Sequence, residues 1–193
     1  DRQFKATLEF FQGLSKSNPN IVLLHRNSIV VGKTRIFGCT LWPHAEEAEG
    51  CNTPCIVDYK RISLEVDPWD LIYTNQGRAN ETHVPMTPHD STSFHHKDVH
   101  FINTELKEAQ RLGQNVALFT HHTPCPEYES ECGCNGSVDL TNLCGSHVKA
   151  WCYGHTHWFH DITRRGTRLV SVPERSSGAT WVLTLDETSS EIV

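Results

Sequence analysis

The chain has 193 residues, 37% of them hydrophobic and 21% charged, which suits one folded domain with a sizeable core and excludes a disordered chain. Its formal charge of −6, with no long basic block, makes nucleic acid an unexpected partner. No apolar run approaches the ~18 residues of a membrane span, so no membrane partner is expected either.

The start, "DRQFKATLEF", has neither an initiator Met nor the apolar core of a signal peptide, so the chain reads as an excerpt of something longer. Eight Cys are too few for a disulfide scaffold. Their spacings, including Cys51-x3-Cys55 and Cys132-x-Cys134, do not make the paired C-x2-C units of a zinc ribbon. A reduced, cytoplasmic setting is expected. Asn80-Glu-Thr82 and Asn135-Gly-Ser137 match the glycosylation triplet, a pattern that arises often by chance.

Phe4, Leu8, Phe11 and Leu14 recur at helical spacing, predicting an amphipathic helix over 2–16, stopped at Asn18-Pro19-Asn20. Three β-rich runs follow, "NIVLLH", "SIVVG" and "TRIFGCTLW". They are expected as adjacent strands with tight turns at Arg26-Asn27 and Gly32-Lys33. Residues 43–58 and 74–93 are polar and Pro/Gly-punctuated, and both are expected as loops. Val99, Ile102, Leu106, Ala109 and Leu112 form the clearest helical stripe, over 93–112, ended by Gly113. "QNVALFT" then reads as a buried strand, 123–146 as a long loop, and "HVKAWCYG" as another strand. "WFHDITRRGTRLVSVP" and "ATWVLTLD" read as hairpin strands, with a turn at Arg165-Gly166. The order of elements predicts a mixed α/β fold in one domain over 1–193.

Two places share one design. "VALFT" runs into His121-His122, and "AWCY" runs into Gly154-His155-Thr156-His157. Ligand sites in α/β sheets form beyond the carboxyl ends of strands, so neighbouring strands here would bring several imidazoles together. Neutral imidazole is the commonest metal ligand and needs no deprotonation near neutrality. In extended chain, i and i+2 point to one side, so His155 and His157 are expected to share a space, with Gly154 making the sharp turn. A single ion on three His, as in a mononuclear zinc site, is one candidate arrangement.

"NVALFTHHTP" followed by "VKAWCYGHTHWFHD" resembles the C-terminal half of a calcineurin-like metallophosphoesterase. "NIVLLHRNSIVVGKTRIFGCTLWPH", "VDYKRI" and "HHKDVHFINTEL" are similar to segments of the same family, so the resemblance covers nearly the whole chain. It implies half of an αββα sandwich with mixed sheets, and a hydrolase acting on a phosphate-ester substrate. The implied centre is a pair of divalent ions, drawn from manganese, iron or zinc. It also implies His121 and His155 on one metal and His157 on the other. His122 is expected behind the ligands or facing substrate, because adjacent extended side chains point apart. His160 and Asp161 are expected as orienting partners or as plain exposed strand residues.

The family's Asp-x-His, Gly-Asp-x-x-Asp and Gly-Asn-His motifs are absent. Asp98-Val99-His100 spells Asp-x-His but lies in the best helix, where i and i+2 diverge by about 200° and cannot chelate together. The chain begins where residues after Gly-Asn-His-Glu fall in that family. It is therefore read as the C-terminal half of the domain, a fragment inactive alone or holding at most a weakened single-metal site. Two rivals stand beside this reading. One is a non-catalytic zinc protein using Cys125, Cys132, Cys134 and Cys144 with the histidines, and the other is a degenerate phosphoesterase fold serving as a scaffold.

Overall fold

A computed structural model of the chain describes residues 2–44, 58–65, 83–128 and 138–171. The short strand β1 (Arg2–Gln3) leads into helix α1 (Phe4–Ser17), and hairpin strands β2 (Asn27–Val31) and β3 (Thr34–Cys39) follow. Helix α2 (Asp58–Arg61), β4 (Ile62–Glu65) and β5 (His83–Pro85) precede the long helix α3 (Pro88–Arg111). The chain then alternates through β6 (Asn115–Thr120), β7 (Val148–Tyr153), β8 (His160–Arg164) and β9 (Thr167–Ser171). The fold is mixed α/β.

The main sheet has the order β2-β3-β6-β7-β9-β8. Its four inner strands are parallel, and the two edge strands are antiparallel to their neighbours. The parallel strands end level, since Cys39 pairs Thr120, Thr120 pairs Tyr153 and Tyr153 pairs Ser171. The loops after β3, β6 and β7 therefore leave the sheet from one row. Helix α3 packs Ile102, Leu106 and Ala109 on Phe37, Leu118, Trp151 and Leu169, all buried. Fully burying side chains of this size stabilises by roughly 1.5–3 kcal/mol each, so this seam anchors the sheet.

Helix α1, the β2–β3 hairpin with Gly32 at φ +57, α3, β6, β7 and the β8–β9 hairpin turning at Arg165-Gly166 all lie where the patterning predicts. The run "NIVLLH" does not form a strand. Ser15 ties this segment back to α1 instead, donating its hydroxyl to the Ile21 carbonyl (2.9 Å) and accepting from the Leu23 amide (3.3 Å). Ile21 and Val22 stay exposed.

Helix α3 begins at Pro88, five residues earlier than the apolar stripe predicts, so the expected 74–93 loop is in part strand and helix. Its start is a capping box, with Thr87 and Asp90 each satisfying the other's backbone amide and Pro88 in the first turn. A second, three-stranded sheet of β1, β4 and β5 was not expected. Most of the 43–58 segment, Cys51, Cys55, Cys132, Cys134, both glycosylation triplets and "ATWVLTLD" lie outside the described residues. Among the described residues, no helix is long and apolar enough to cross a membrane.

Candidate metal centre

The strand ends decide what the histidines can do. β6 is buried almost throughout because it lies between β3 and β7, and it stops at Thr120. The amides of His121 and His122 then both donate to one acceptor, the Thr40 carbonyl beyond β3, at 3.2 and 3.1 Å. Two successive amides cannot reach one carbonyl from extended chain, where they point to opposite edges. The backbone turns here, so both rings fall on the same side, with centroids 4.9 Å apart. Thr120 fixes the turn from inside. Its hydroxyl donates to the His122 carbonyl (2.8 Å) and accepts from the Trp151 indole N–H (3.0 Å).

The second histidine segment is also a turn. The Gly154 amide donates to the His121 carbonyl (3.0 Å), which stitches the two loops together. Gly154 was expected to make the sharp turn, but its own φ is not in the left-handed region. His155 (φ +63) and His157 (φ +59) take that conformation instead. Between them Thr156 is buried, its hydroxyl 3.3 Å from that of Ser171, and it accepts from the Trp158 amide. Gly-His-Thr-His thus folds as a Thr-anchored double turn, and the i, i+2 rule of extended chain does not apply to it. Left-handed φ in a residue with a side chain costs about 1–3 kcal/mol, and such strain tends to collect at functional sites.

The result is a triad of His121, His122 and His155, whose available ring nitrogens all lie within 4.8 Å of one another. Ring centroids are 4.1 Å apart for His122 and His155 and 5.1 Å for His121 and His155. His155 Nδ1 lies 3.3 Å from His121 Nε2. That distance serves a hydrogen bond between neutral rings, and it also matches the roughly 3.3 Å between donors around a tetrahedral ion with 2.0–2.1 Å bonds.

His122 carries the test of fit. It is buried, and neither ring nitrogen has a hydrogen-bond partner. A buried polar atom left unpaired costs about 1–3 kcal/mol. Burial, reinforced by the neighbouring His155, His121 and His95, holds its imidazole far below the ordinary range, so it keeps the neutral form that ligates metals. The residues present can hold a divalent transition metal.

His121 and His155 come together as the resemblance implies. His122, expected to face away, turns into the same group because the chain has already left the strand. His157 is exposed and is not one of the three converging residues. His160 sits at the start of β8 with Nδ1 3.1 Å from the Tyr153 hydroxyl, and Asp161 pairs with Arg168 through two contacts of 2.8 and 2.9 Å. Those contacts lie along the β8 edge of the sheet and outside the converging group.

Asp98 and His100 separate as the helix geometry requires, but Asp98 has a task of its own. Almost fully buried, it accepts from the Leu41 amide (2.9 Å), the Trp42 amide (3.4 Å) and Arg26 (3.2 Å). It thereby holds the loop that presents the Thr40 carbonyl. Trp42 packs its ring on His122 at 5.8 Å, and its carbonyl meets His95 Nδ1 at 2.6 Å. Sequence reading overlooked Thr40, Trp42, His44 and His95. The available signal for the first three was "GCTLWPH", an apolar run that leaves β3 and reaches a histidine.

No family model matches the chain, and no solved structure matches it. Among curated proteins it is similar to the uncharacterised protein L509 of Acanthamoeba polyphaga mimivirus. The two are 23% identical over 153 residues, which is 72% of this chain and 49% of the viral protein. The chain spans about half the length of the curated relative it matches.

Proposed function

We propose that this chain carries the histidine-rich half of a metal-dependent phosphoester hydrolase, a metallophosphoesterase whose complete centre uses two divalent ions of manganese, iron or zinc. The observation that carries the reading is the triad of His121, His122 and His155 at level ends of adjacent parallel strands, with His122 buried and unpaired. The likeness of "NVALFTHHTP" and "VKAWCYGHTHWFHD" to that family supplies the reaction class. His121 and His155 would hold one ion, with His122 completing or backing that set, and His157 would reach a second. A bound divalent ion supplies Lewis acidity, which draws charge from phosphoryl oxygens and makes bound water acidic. The chain's part is to keep His122 neutral by burial, fix the turn through Thr40 and Thr120, and leave the ions' positive charge undiluted by carboxylates.

The rival reading, structural zinc on loop cysteines, has less support. Cys125 and Cys144 are free and buried, and Cys132 and Cys134 lie outside the described residues. Neither Cys125 nor Cys144 belongs to the converging group.

The test pairs metal content with turnover. Purified chain titrated with Mn²⁺ or Co²⁺ should bind at the triad, and His122→Ala and His155→Ala should each weaken that binding by at least about tenfold. A version extended upstream should hydrolyse a chromogenic phosphodiester with Mn²⁺ and lose this in His155→Ala. Metal binding indifferent to both substitutions, or an extended and metal-loaded protein without hydrolysis, would overturn the proposal.

A further inference from the structure

The Asp98 clamp on the loop after β3 does not end at Arg26. Arg26 uses two guanidinium nitrogens, Nη1 on Asp98 (3.2 Å) and Nη2 on Nε2 of His25 (3.1 Å). A guanidinium has only donors, so Nε2 of His25 accepts and the ring proton sits on Nδ1. That contact needs a neutral imidazole. A proton taken from solvent onto Nε2 removes the lone pair and sets two cations side by side.

We infer that His25 is a pH-sensitive latch on the histidine turn, acting through Arg26 and Asp98. Every link is a direct contact. Neutral His25 holds the Arg26 guanidinium, Arg26 pairs with Asp98, and Asp98 accepts from the Leu41 and Trp42 amides (2.9 and 3.4 Å). Thr40, beside Leu41, offers the carbonyl that receives the His121 and His122 amides. His25 sits edge-on against Phe4 (6.1 Å), and the Arg26 amide is fixed to the Gly38 carbonyl (2.9 Å). Repulsion therefore falls on the Arg26 side chain, which is 27% exposed and can move into water, whereas Asp98, at 1%, cannot. Asp98 then loses its ion pair, and its hold on Leu41, strained at φ +55, weakens.

The described charges around His25 leave Arg26 in control. α1 brings the uncharged Phe4 ring, and Lys5 behind it is paired with Glu65 (2.6 Å). α3 brings Asp98, already paired with Arg26, and Lys97, whose ammonium lies over the Phe94 ring (5.6 Å). His95 of α3 meets the Trp42 carbonyl, and Cys39 of β3 is a buried thiol held protonated. Burial, with the Arg26 charge beside it, holds the His25 imidazole below the ordinary 6.5. The latch is therefore closed above pH 6.5 and opens as pH falls below it.

The effect on metal rests on the triad binding an ion, and not on phosphoester hydrolysis. NMR titration of the whole chain from about pH 7.5 to 5 follows the His25 ring and the Leu41, Trp42, His121 and His122 amides. These amides should shift with the His25 midpoint in wild type. In His25→Gln, whose side-chain carbonyl accepts from Arg26 at any pH, that component should vanish, leaving only what His121 and His122 contribute by their own titration. Zn²⁺ affinity should fall on acidification at least about threefold more in wild type than in His25→Gln, and by reciprocity bound Zn²⁺ should lower the His25 midpoint by about 0.5 pH unit. If His25→Gln prevents folding, the wild-type midpoint shift decides. Leu41 and Trp42 amides indifferent to the His25 midpoint, or an equal acid loss of affinity in both proteins, overturns the latch and leaves the triad standing. A chain that binds no Zn²⁺ at the triad removes the metal centre, and the metal-free titration of Leu41 and Trp42 still decides the latch.

Discussion

Replacing Asp98 with Ala is expected to destabilise the fold by about 3–5 kcal/mol, the range for breaking a buried ion pair by removing one partner. The figure can be built from the contacts. Leu41 and Trp42 are 2% and 6% exposed, so the amides released by the substitution have little access to water. The Leu41 amide loses a 2.9 Å bond to a carboxylate, worth about 1.5–3 kcal/mol, and the 3.4 Å Trp42 contact adds less. Leu41 also sits at φ +55, a backbone held in place by that bond. Arg26 keeps 27% of its side chain in solvent and can rehydrate, so its share is the smallest. Asp98→Asn keeps one acceptor oxygen and should lose less, about 1–3 kcal/mol. Denaturant unfolding measures both. The second readout is Co²⁺ affinity of the folded Asn variant. Asp98 holds the loop whose Thr40 carbonyl orients His121 and His122, so affinity should fall along with stability. A full destabilisation with unchanged affinity would refute the link from α3 to the histidine turn. An Ala variant within about 0.5 kcal/mol of wild type would refute the clamp itself.

Three further outcomes can be checked alongside. A Cβ added at Gly38 would lie 2.6 Å from the Phe119 carbonyl oxygen of the adjacent parallel strand, so Gly38→Ala should part β3 from β6 and cost about 1–3 kcal/mol in a urea midpoint. Thr120→Val strands both the Trp151 indole N–H and the His122 carbonyl. It should cost about 1–3 kcal/mol and weaken metal binding, whereas Thr120→Ser restores both. His25, His122 and His160 are all held below the ordinary 6.5, chiefly by burial. The unfolded chain therefore takes up protons before the folded one does, and stability present above pH 6.5 should be lost as pH falls below it. Asp98, raised by burial despite Arg26 and its two amide donors, acts in the opposite sense nearer the carboxylate range. His25→Asn should flatten the slope between pH 6.5 and the acid limb, and an unchanged slope would show that His25 does not contribute.

The parts of the fold legible in the sequence are those where periodicity is enforced by burial. Val99, Ile102, Leu106 and Ala109 must fall on one stripe to meet the sheet, and "VALF" must be apolar throughout to lie between two strands. β1, β4 and β5 were not legible because strands of two to four residues carry too few positions for a period to show. Their pairing is fixed by distant partners such as Arg2 with Ile62. The start of α3 was written in Thr87-Pro88-His89-Asp90, but the capping signal precedes the apolar stripe and is missed when the stripe alone is followed. "NIVLLH" has strand composition, yet Ser15 of α1 ties its backbone back to the helix at Ile21 and Leu23, a contact that composition does not show.

The histidine site was legible in its residue types and illegible in its directions, for a physical reason. Alternation tells which way a side chain points only while the chain is extended, and every histidine of the triad lies one or two residues past that condition. Direction there is set by local backbone strain and by what holds it. Among the described residues, positive φ outside glycine occurs at Arg26, Leu41, His155, His157 and Arg165. Arg165 is the tip of a hairpin, and the other four belong either to the Asp98 clamp or to the Gly-His-Thr-His turn. At about 1–3 kcal/mol each, that strain is a sizeable part of the 5–15 kcal/mol by which a domain is stable. It persists because Asp98, Thr40, Thr120 and Thr156 bind the backbone on either side. These four are polar residues in ordinary places, three of them buried, and their sequence neighbours give no sign of the task. A fold that concentrates strain and unpaired imidazole nitrogen at one end of its sheet should open there first. Bound metal, by pairing those nitrogens, should slow amide exchange at His121, His122 and Gly154 more than in the α3 seam.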